Sequence, residues 1–283
     1  MDLTALKIFK TVVDQGGVTR AAAALHRVQS NVTTRVKQLE LALGAKLFHR
    51  QGRRLVLSPE GKVLLGYAER LLSLSSEARA ALKGHALHGT LKIGALESTA
   101  ATRLPPVLAR YHRRYPAVRL ELVTGTSGAL VDRVVREEID AAFVAEPFPA
   151  RNLETRHVFT EELVLITPKG HRPVRGAKDI GQPTILAFAT GCSYRRRLEA
   201  WLGRSSMVAE RVMEYGSYHA ITACVAAGSG IAVVPKSVLA VVGAESQVAV
   251  HALPAQVARA RTMLVWRRGH PSAALGALRE ELN

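Results

Sequence analysis

Cysteine is almost absent from this chain. Cys192 and Cys224 are the only two among 283 residues, and neither belongs to a Cys-x-x-Cys pair or a Cys/His cluster. That excludes a disulfide framework and a structural zinc site, and both thiols are expected to stay reduced in a cytoplasmic protein. No stretch approaches the 18 uninterrupted apolar residues of a membrane span. The start carries Asp2 in an amphipathic pattern instead of a basic segment followed by an apolar run, so neither secretion nor membrane association is expected. Catalytic motifs are missing as well. There is no Gly-x-Gly-x-x-Gly, no phosphate-binding Gly-Lys-Ser/Thr loop and no His pair at metal spacing. Two segments approach a nucleophile elbow. Gly191-Cys192-Ser193-Tyr194-Arg195 lacks the closing glycine, and Gly125-Thr126-Ser127-Gly128-Ala129 has alanine in its place. An enzyme is therefore not expected, nor a metal or cofactor.

Acids are also in the minority, 23 Asp and Glu against 39 Lys and Arg, a formal charge of +16. The first 88 residues hold 14 of the bases and 6 of the acids, so half of the excess sits in under a third of the length. Such a skew favours a polyanionic partner for the N-terminal part. There, Thr19 to Glu40 reads as two helices joined by a turn too short to let them separate. Thr19 is expected to cap the first of them, Ala21, Ala22 and Ala24 to permit close approach, and Leu25 to plug the corner. Val32, Val36 and Leu39 form the inward stripe of the second helix. The opposite face carries Ser30, Asn31, Thr33, Thr34 and Lys37, short polar and cationic groups that can reach base edges and phosphates, with Gln29 and Asn31 able to pair with adenine.

Before this pair, Leu3, Leu6, Phe9 and Val13 predict a helix closed by Gly16-Gly17. After it, a hairpin-like segment, His49 to Arg54, presents Arg50, Arg53 and Arg54 around a turn glycine, as a wing would. Ser58-Pro59-Glu60 opens a long helix. In it Leu64, Ala68, Leu71, Ser75, Ala78 and Leu82 alternate steps of four and three, the period of a coiled-coil seam, which implies a second copy of the chain.

Residues 1–60 resemble the DNA-binding domain of the LysR-type transcriptional regulators. The likeness is carried by Ala21-Ala22, Leu25, Gln29-Ser30, Leu39-Glu40, Leu43-Gly44, Leu47-Phe48, Arg50 and Pro59-x-Gly61. The chain departs from the pattern at Val28, where a small hydroxyl residue is usual, and at Thr34, where a base is usual and Arg35 follows instead. The resemblance implies a double-stranded promoter or operator as partner. Gln29, Ser30, Thr33 and Arg53 are carried over as DNA contacts, with Asn31, Thr34, Arg35, Arg50 and Arg54 beside them.

From about Gly89 strands alternate with helices. Leu91–Ala95, Val118–Val123 and Asp140–Val144 read as strands around two helices, a βαβαβ unit with a parallel sheet. Leu163–Thr167, Ile185–Phe188, Arg211–Glu214, Ile231–Val234 and Met263–Trp266 read as further strands, with helices at Tyr194–Leu202, Tyr218–Ala227 and Pro271–Leu282. Leu104-Pro105, Tyr115-Pro116, Asp140 and Ala226-Ala227-Gly228-x-Gly230-Ile231 match the same family's effector domain, which resembles a periplasmic binding protein. The expected fold is thus α/β with an N-terminal all-α winged helix-turn-helix domain (1–58), a linker and dimerisation helix with its hinge (59–88), and a two-lobed effector domain (89–283). Lobe I is expected over about 89–162 and 268–283, lobe II over about 163–267.

Ligands of α/β sheets sit beyond the carboxyl ends of strands, where helix starts offer free N–H groups. Ser98 and Thr99, Ser193 with Tyr194, and Ser217 stand at such starts and are expected to meet across the cleft, with Arg195 to Arg197 supplying positive charge. The expectation is a cytoplasmic homodimer, or homotetramer by resemblance, that binds DNA and a small anionic effector. The alternative is an effector-independent DNA-binding protein whose α/β domain serves only assembly.

Overall fold

The computed structural model describes all residues except 52–53, 84–86, 150–151, 271 and 283, and the backbone alone at 54, 73, 77 and 79–83. The chain divides into two compact units, Met1–Gly89 and Thr90–Asn283.

The first unit opens with α1 (Leu3–Asp14), capped by Asp2, whose carboxylate accepts the Ala5 N–H at 2.7 Å. Its buried stripe is Leu6, Ile8, Phe9 and Val12, whereas Leu3 is 40% exposed. The stripe expected from the sequence is therefore rotated toward Ile8 and Val12. Next comes α2 (Val18–Ala24), whose cap is Gly17, two residues before the predicted Thr19, which lies inside the helix. Ala21 and Ala22 are buried against α3 (Gln29–Leu43), but Ala24 faces solvent and plays no part in the close approach. Gly44 closes α3 in the left-handed region (φ 63°), where a side chain would be strained.

A two-stranded wing follows, β1 (Phe48–Gln51) antiparallel to β2 (Arg54–Leu57), and then α4 (Pro59–Lys83). Four polar contacts fix their junction. The buried Glu40 carboxylate accepts the Leu47 N–H at 2.8 Å and the Lys46 ammonium at 3.1 Å. The Ser58 hydroxyl donates to the Lys46 carbonyl and accepts the Gly61 N–H, capping α4. Gly61 lies so close to the wing that a Cβ there would stand 2.2 Å from the Leu47 carbonyl oxygen.

The seam expected along α4 is divided between two tasks. Ala68 is fully buried with Leu6, Phe9, Leu39 and Leu47, and Leu64 packs on the same cluster. The large apolar groups left exposed among the described side chains of α4 are Val63, Tyr67, Leu71 and Leu74, spaced by four, four and three residues. Of the predicted seam, Leu64 and Ala68 are taken up by the unit's own core against α1, Leu71 is exposed, and the Leu82 side chain lies outside the described residues.

The second unit carries the remaining elements: β3 (Gly89–Ala95), α5 (Glu97–Thr102), α6 (Leu104–Arg114), β4 (Val118–Thr124), α7 (Ser127–Val135), β5 (Ala141–Ala145), β6 (Leu153–Pro168), β7 (Thr184–Ala187), α8 (Ser193–Gly203), β8 (Arg211–Glu214), α9 (Tyr218–Ala226), β9 (Ala232–Pro235), α10 (Lys236–Val241), β10 (Val248–Ala252), α11 (Ala255–Ala258), β11 (Arg259–Arg267) and α12 (Ala273–Glu280). The sixteen-residue β6 runs through both lobes. Its first half pairs with β11, which continues to β5, β3 and β4, and its second half pairs with β10 and β9. Parallel β7 and β8 extend the second lobe through the Ile185–Ile231 bridge. β11, expected in lobe II, lies in the sheet of lobe I, antiparallel to β5 and β6. Each sheet is covered by helices, and Phe143, Val144, Leu163, Leu165 and Val234 at the sheet centres are fully buried.

Candidate functional site

In the first unit the outward face of α3 is the element with chemical character. Val32, Val36 and Leu39 anchor the helix, leaving Gln29, Ser30, Asn31, Thr34, Arg35 and Lys37 exposed and Thr33 half-buried. Val28 stands at the N-cap with extended backbone and makes no side-chain capping bond. The hydrophobic residue that departs from the family pattern thus leaves the helix start open, with its N–H groups available to an anion. The Thr33 hydroxyl donates back to the Gln29 carbonyl at 2.9 Å, and Asn31 accepts from the Arg27 guanidinium at 3.3 Å. Arg50 is exposed on β1 opposite Leu55. Arg53 and the Arg54 side chain lie outside the described residues.

In the second unit a cleft of about 270 Å³, open solvent included, lies at the starts of several helices. Leu96 and Glu97 enter it from the head of α5 and Gly125 and Thr126 from the approach to α7. Phe188 and Tyr218 form one wall, and Cys192, Ser193 and Tyr194 come from the start of α8. The two failed elbow motifs face each other here, the Gly128 N–H donating to the Gly191 carbonyl at 3.3 Å. Tyr218 and Phe188 pack with ring centroids 4.8 Å apart.

Of the predicted effector contacts, Ser193 and Tyr194 line this cleft. Ser193 donates to the Glu146 carbonyl at 2.5 Å, so its hydroxyl proton is already committed. Ser98 and Thr99 lie inside the first turn of α5 and are buried behind the lining instead of preceding the helix. Ser217 is the N-cap of α9, accepting the His219 N–H at 3.2 Å, and stands outside the lining. The Ser98, Thr99 and Tyr194 hydroxyls are buried without a hydrogen-bond partner among the described residues. Ser98 is directed toward the Tyr194 and Tyr218 phenols, short of good hydrogen-bond geometry. Burial raises both phenols above their ordinary range, so they remain protonated donors.

In the arginine run only Arg195 is paired with carboxylates; Arg196 and Arg197 keep their charge and meet backbone carbonyls, and Arg197 Nε is buried without a hydrogen-bond partner among the described residues. Arg195 bonds Glu199 at 2.8 Å and Glu214 at 2.6 Å, Arg196 reaches the Pro147 carbonyl, and Arg197 donates to the Gln256 and Glu146 carbonyls at 3.2 Å. Cys192 is held protonated, since burial raises its thiol more than the Arg195 and Tyr194 backbone N–H groups lower it.

Sequence reading missed Glu161. Only 1% exposed, at the point where β6 passes between lobes, it accepts Arg103 Nε at 2.7 Å, Arg103 Nη2 at 3.1 Å and Ser237 Oγ at 3.0 Å. Arg103 follows α5 and Ser237 sits on α10, so one carboxylate ties three elements of both lobes together. No sequence signal marks it, because its partners are 58 and 76 residues away.

No helix among the described residues is long and apolar enough to cross a membrane, and none of their His, Cys, Asp and Glu side chains gather into a metal-holding group. Residues 3–62 match the model of the bacterial regulatory helix-turn-helix protein, lysR family, and residues 84–283 that of the LysR substrate binding domain. The HTH-type transcriptional regulator GltR of Bacillus subtilis (strain 168) is 37% identical over 269 residues, 95% of this chain and 91% of that protein. The HTH-type transcriptional regulator SoxR of Arthrobacter sp. (strain TE1826) is 36% identical over 268 residues, 94% and 91% of the two chains. Among solved structures, a full-length OxyR variant from Pseudomonas aeruginosa has a TM-score of 0.74 at 24% identity, covering 100% of this chain and 94% of that one. Full-length CbnR in complex with its target DNA has a TM-score of 0.70 at 21% identity, covering 100% and 99%. Both share this fold. With a helix-turn-helix head and a substrate binding domain that together match nearly its whole length, the chain belongs to the LysR family of bacterial transcriptional regulators.

Proposed function

We propose that this regulator reads promoter DNA through α3, self-associates through α4, and is modulated by a small effector that places an anionic group in the cleft of its second unit. The observation carrying the effector reading is the set of buried, unpartnered hydroxyls of Ser98, Thr99 and Tyr194 gathered behind and along a cleft at the start of α8. Buried polar groups are nearly always satisfied, so such a set is suited to a ligand that completes it. The eleven-residue α8 adds the favourable end of its dipole and has no side-chain cap bond. Ser193 and Tyr194 are the contacts the geometry favours, with Ser98 and Thr99 supporting the phenols from behind and Ser217 holding the α9 start in place.

The DNA reading rests on the open start and polar face of α3. Gln29, Ser30, Asn31, Thr33 and Thr34 are the base-reading candidates, and Arg35, Arg50, Arg53 and Arg54 the phosphate-positioning ones. CbnR, whose structure was solved on its target DNA, supports this assignment by its fold. The exposed row Val63, Tyr67, Leu71 and Leu74 supports a homodimer that presents two such heads, and pairing of dimers would give a homotetramer. A cytoplasmic location accords with reading promoter DNA. Functional boundaries then fall at 1–58 for the DNA-reading head, 59–88 for the linker and 89–283 for the effector domain.

A screen of small carboxylates for shifts in melting temperature tests the effector part, followed by calorimetry on Tyr194→Phe and on the Ser98→Ala, Thr99→Ala double variant. At least tenfold weaker binding in both is expected. Absence of any shift would favour the effector-independent alternative, in which the α/β domain only assembles.

A further inference from the structure

Glu97 is the only charged side chain among the described residues that line the cleft. An acid in the first turn of a helix is ordinary and is usually solvated. Glu97 departs from that pattern, since its Oε2 is buried with no hydrogen-bond partner among the described residues. The carboxylate is also within reach of the Tyr218 backbone N–H of the opposite lobe. Burial raises its pKa, and the Tyr218 N–H and the nearby His219 act in the other direction. The protein therefore holds an under-satisfied carboxylate in the same small space, lined in part by Phe188, Tyr194 and Tyr218, that offers hydroxyls and the α8 start to an anion. A purely anionic effector would meet Glu97 as a like charge at low dielectric.

We propose that Glu97 is a specificity-determining acceptor and that the effector is amphoteric, an amino-acid-sized zwitterion whose ammonium group meets Glu97 while its carboxylate lies toward Ser193 and Tyr194. This rests on the cleft being the effector site, as proposed above, and adds the second charge. Phe188 and Tyr218 offer an apolar wall for its side chain. Because Glu97 belongs to one lobe and the Tyr218 N–H to the other, the same ammonium group would sit where the lobes meet and bias their closure.

The test uses the full-length protein and a matched panel: the twenty common L-amino acids, the corresponding acids without the amino group, and the corresponding amines without the carboxylate. Melting shifts select binders, and calorimetry measures them on wild type, Glu97→Gln, Glu97→Ala and Tyr194→Phe. At least one amino acid should bind wild type tenfold or more tighter than its deaminated and decarboxylated counterparts. Glu97→Gln should bring that amino acid and its deaminated counterpart to within about threefold of each other. Both Glu97 variants should melt as cooperatively as wild type without ligand. If deaminated acids bind wild type as well as amino acids do, and Tyr194→Phe still weakens them, the Glu97 assignment falls and the cleft remains the effector site. Binding that is indifferent to Glu97 and Tyr194 alike overturns both, and an amino-acid panel without a single binder overturns the zwitterion class.

Discussion

Removal of the Glu161 carboxylate should loosen the second unit in a way that can be calculated and measured. Glu161 is 1% exposed and accepts three hydrogen bonds, two of them from the forked guanidinium of Arg103. Breaking a buried charge pair costs roughly 3–5 kcal/mol, chiefly because the remaining partner is left without compensation. Here that partner is partly wet, with 39% of the Arg103 side chain exposed, and it can turn toward water. Ser237 is half-buried and can also be hydrated. Glu161→Ala should therefore fall at or below the lower end of that range, about 2–3 kcal/mol. A double-mutant cycle with Arg103→Ala should return a coupling of about 2 kcal/mol, as expected for a charge-assisted pair with two bonds. Both tryptophans, Trp201 and Trp266, lie in the second unit, so urea unfolding followed by their fluorescence reports that unit selectively. The midpoint should fall at nearly unchanged slope. A coupling below about 0.5 kcal/mol would refute the reading of Glu161 as a clamp between lobes and reduce it to an isolated buried acid.

Gly61→Ala should cost the first unit roughly 2–3 kcal/mol, because its methyl would drive into the Leu47 carbonyl at 2.2 Å, and a melt followed by circular dichroism would detect it. Leu71→Glu should dissociate the dimer by burying carboxylates at a symmetric contact, read by light scattering as halved mass at retained helicity. His251 accepts the Val174 N–H through Nδ1 and pairs Thr167 through Nε2, and burial followed by the charge of His171 depresses its pKa. The unfolded chain then takes up the proton first, so this contribution is complete above about pH 6.5 and is lost as the pH falls below it. Wild type should lose urea resistance toward pH 5 more steeply than His251→Gln, and parallel profiles would contradict the assignment.

The head was legible in residue order because its packing is local. The stripe of Val32, Val36 and Leu39, the Gly44 stop and the Ser58 cap are all set by neighbours within one or two turns. What escaped were choices between equivalent local patterns. Leu64 and Ala68 could serve a coiled-coil seam or α1, and the position of α1 decided for the domain's own core. In the second unit, the first half of β6 passed unnoticed because its polar alternation, Glu154, Thr155, Arg156 and His157, reads as a loop until β11 pairs with it. β11 itself followed the second lobe in sequence but crosses back to the first sheet, a topological fact that periodicity does not carry. The site was legible as a set of helix starts. Their distances were not, and so Ser98 and Thr99 were expected to touch the ligand when they lie behind Tyr194 and Tyr218. The arginines at the start of α8 suggested an anion site by composition, whereas Glu199, Glu214 and three backbone carbonyls, all but one distant in sequence, occupy them.

The central claim is that α3 reads base sequence on behalf of a paired regulator. Selection of bound duplexes from a randomised pool, sequenced for wild type and for Gln29→Ala, tests it most directly. Wild type should enrich a motif of two symmetric half-sites, and Gln29→Ala should lose preference at one position in each half, at a cost of about 1–3 kcal/mol per site. An unchanged motif in the variant, or no enriched motif for wild type, would contradict the claim.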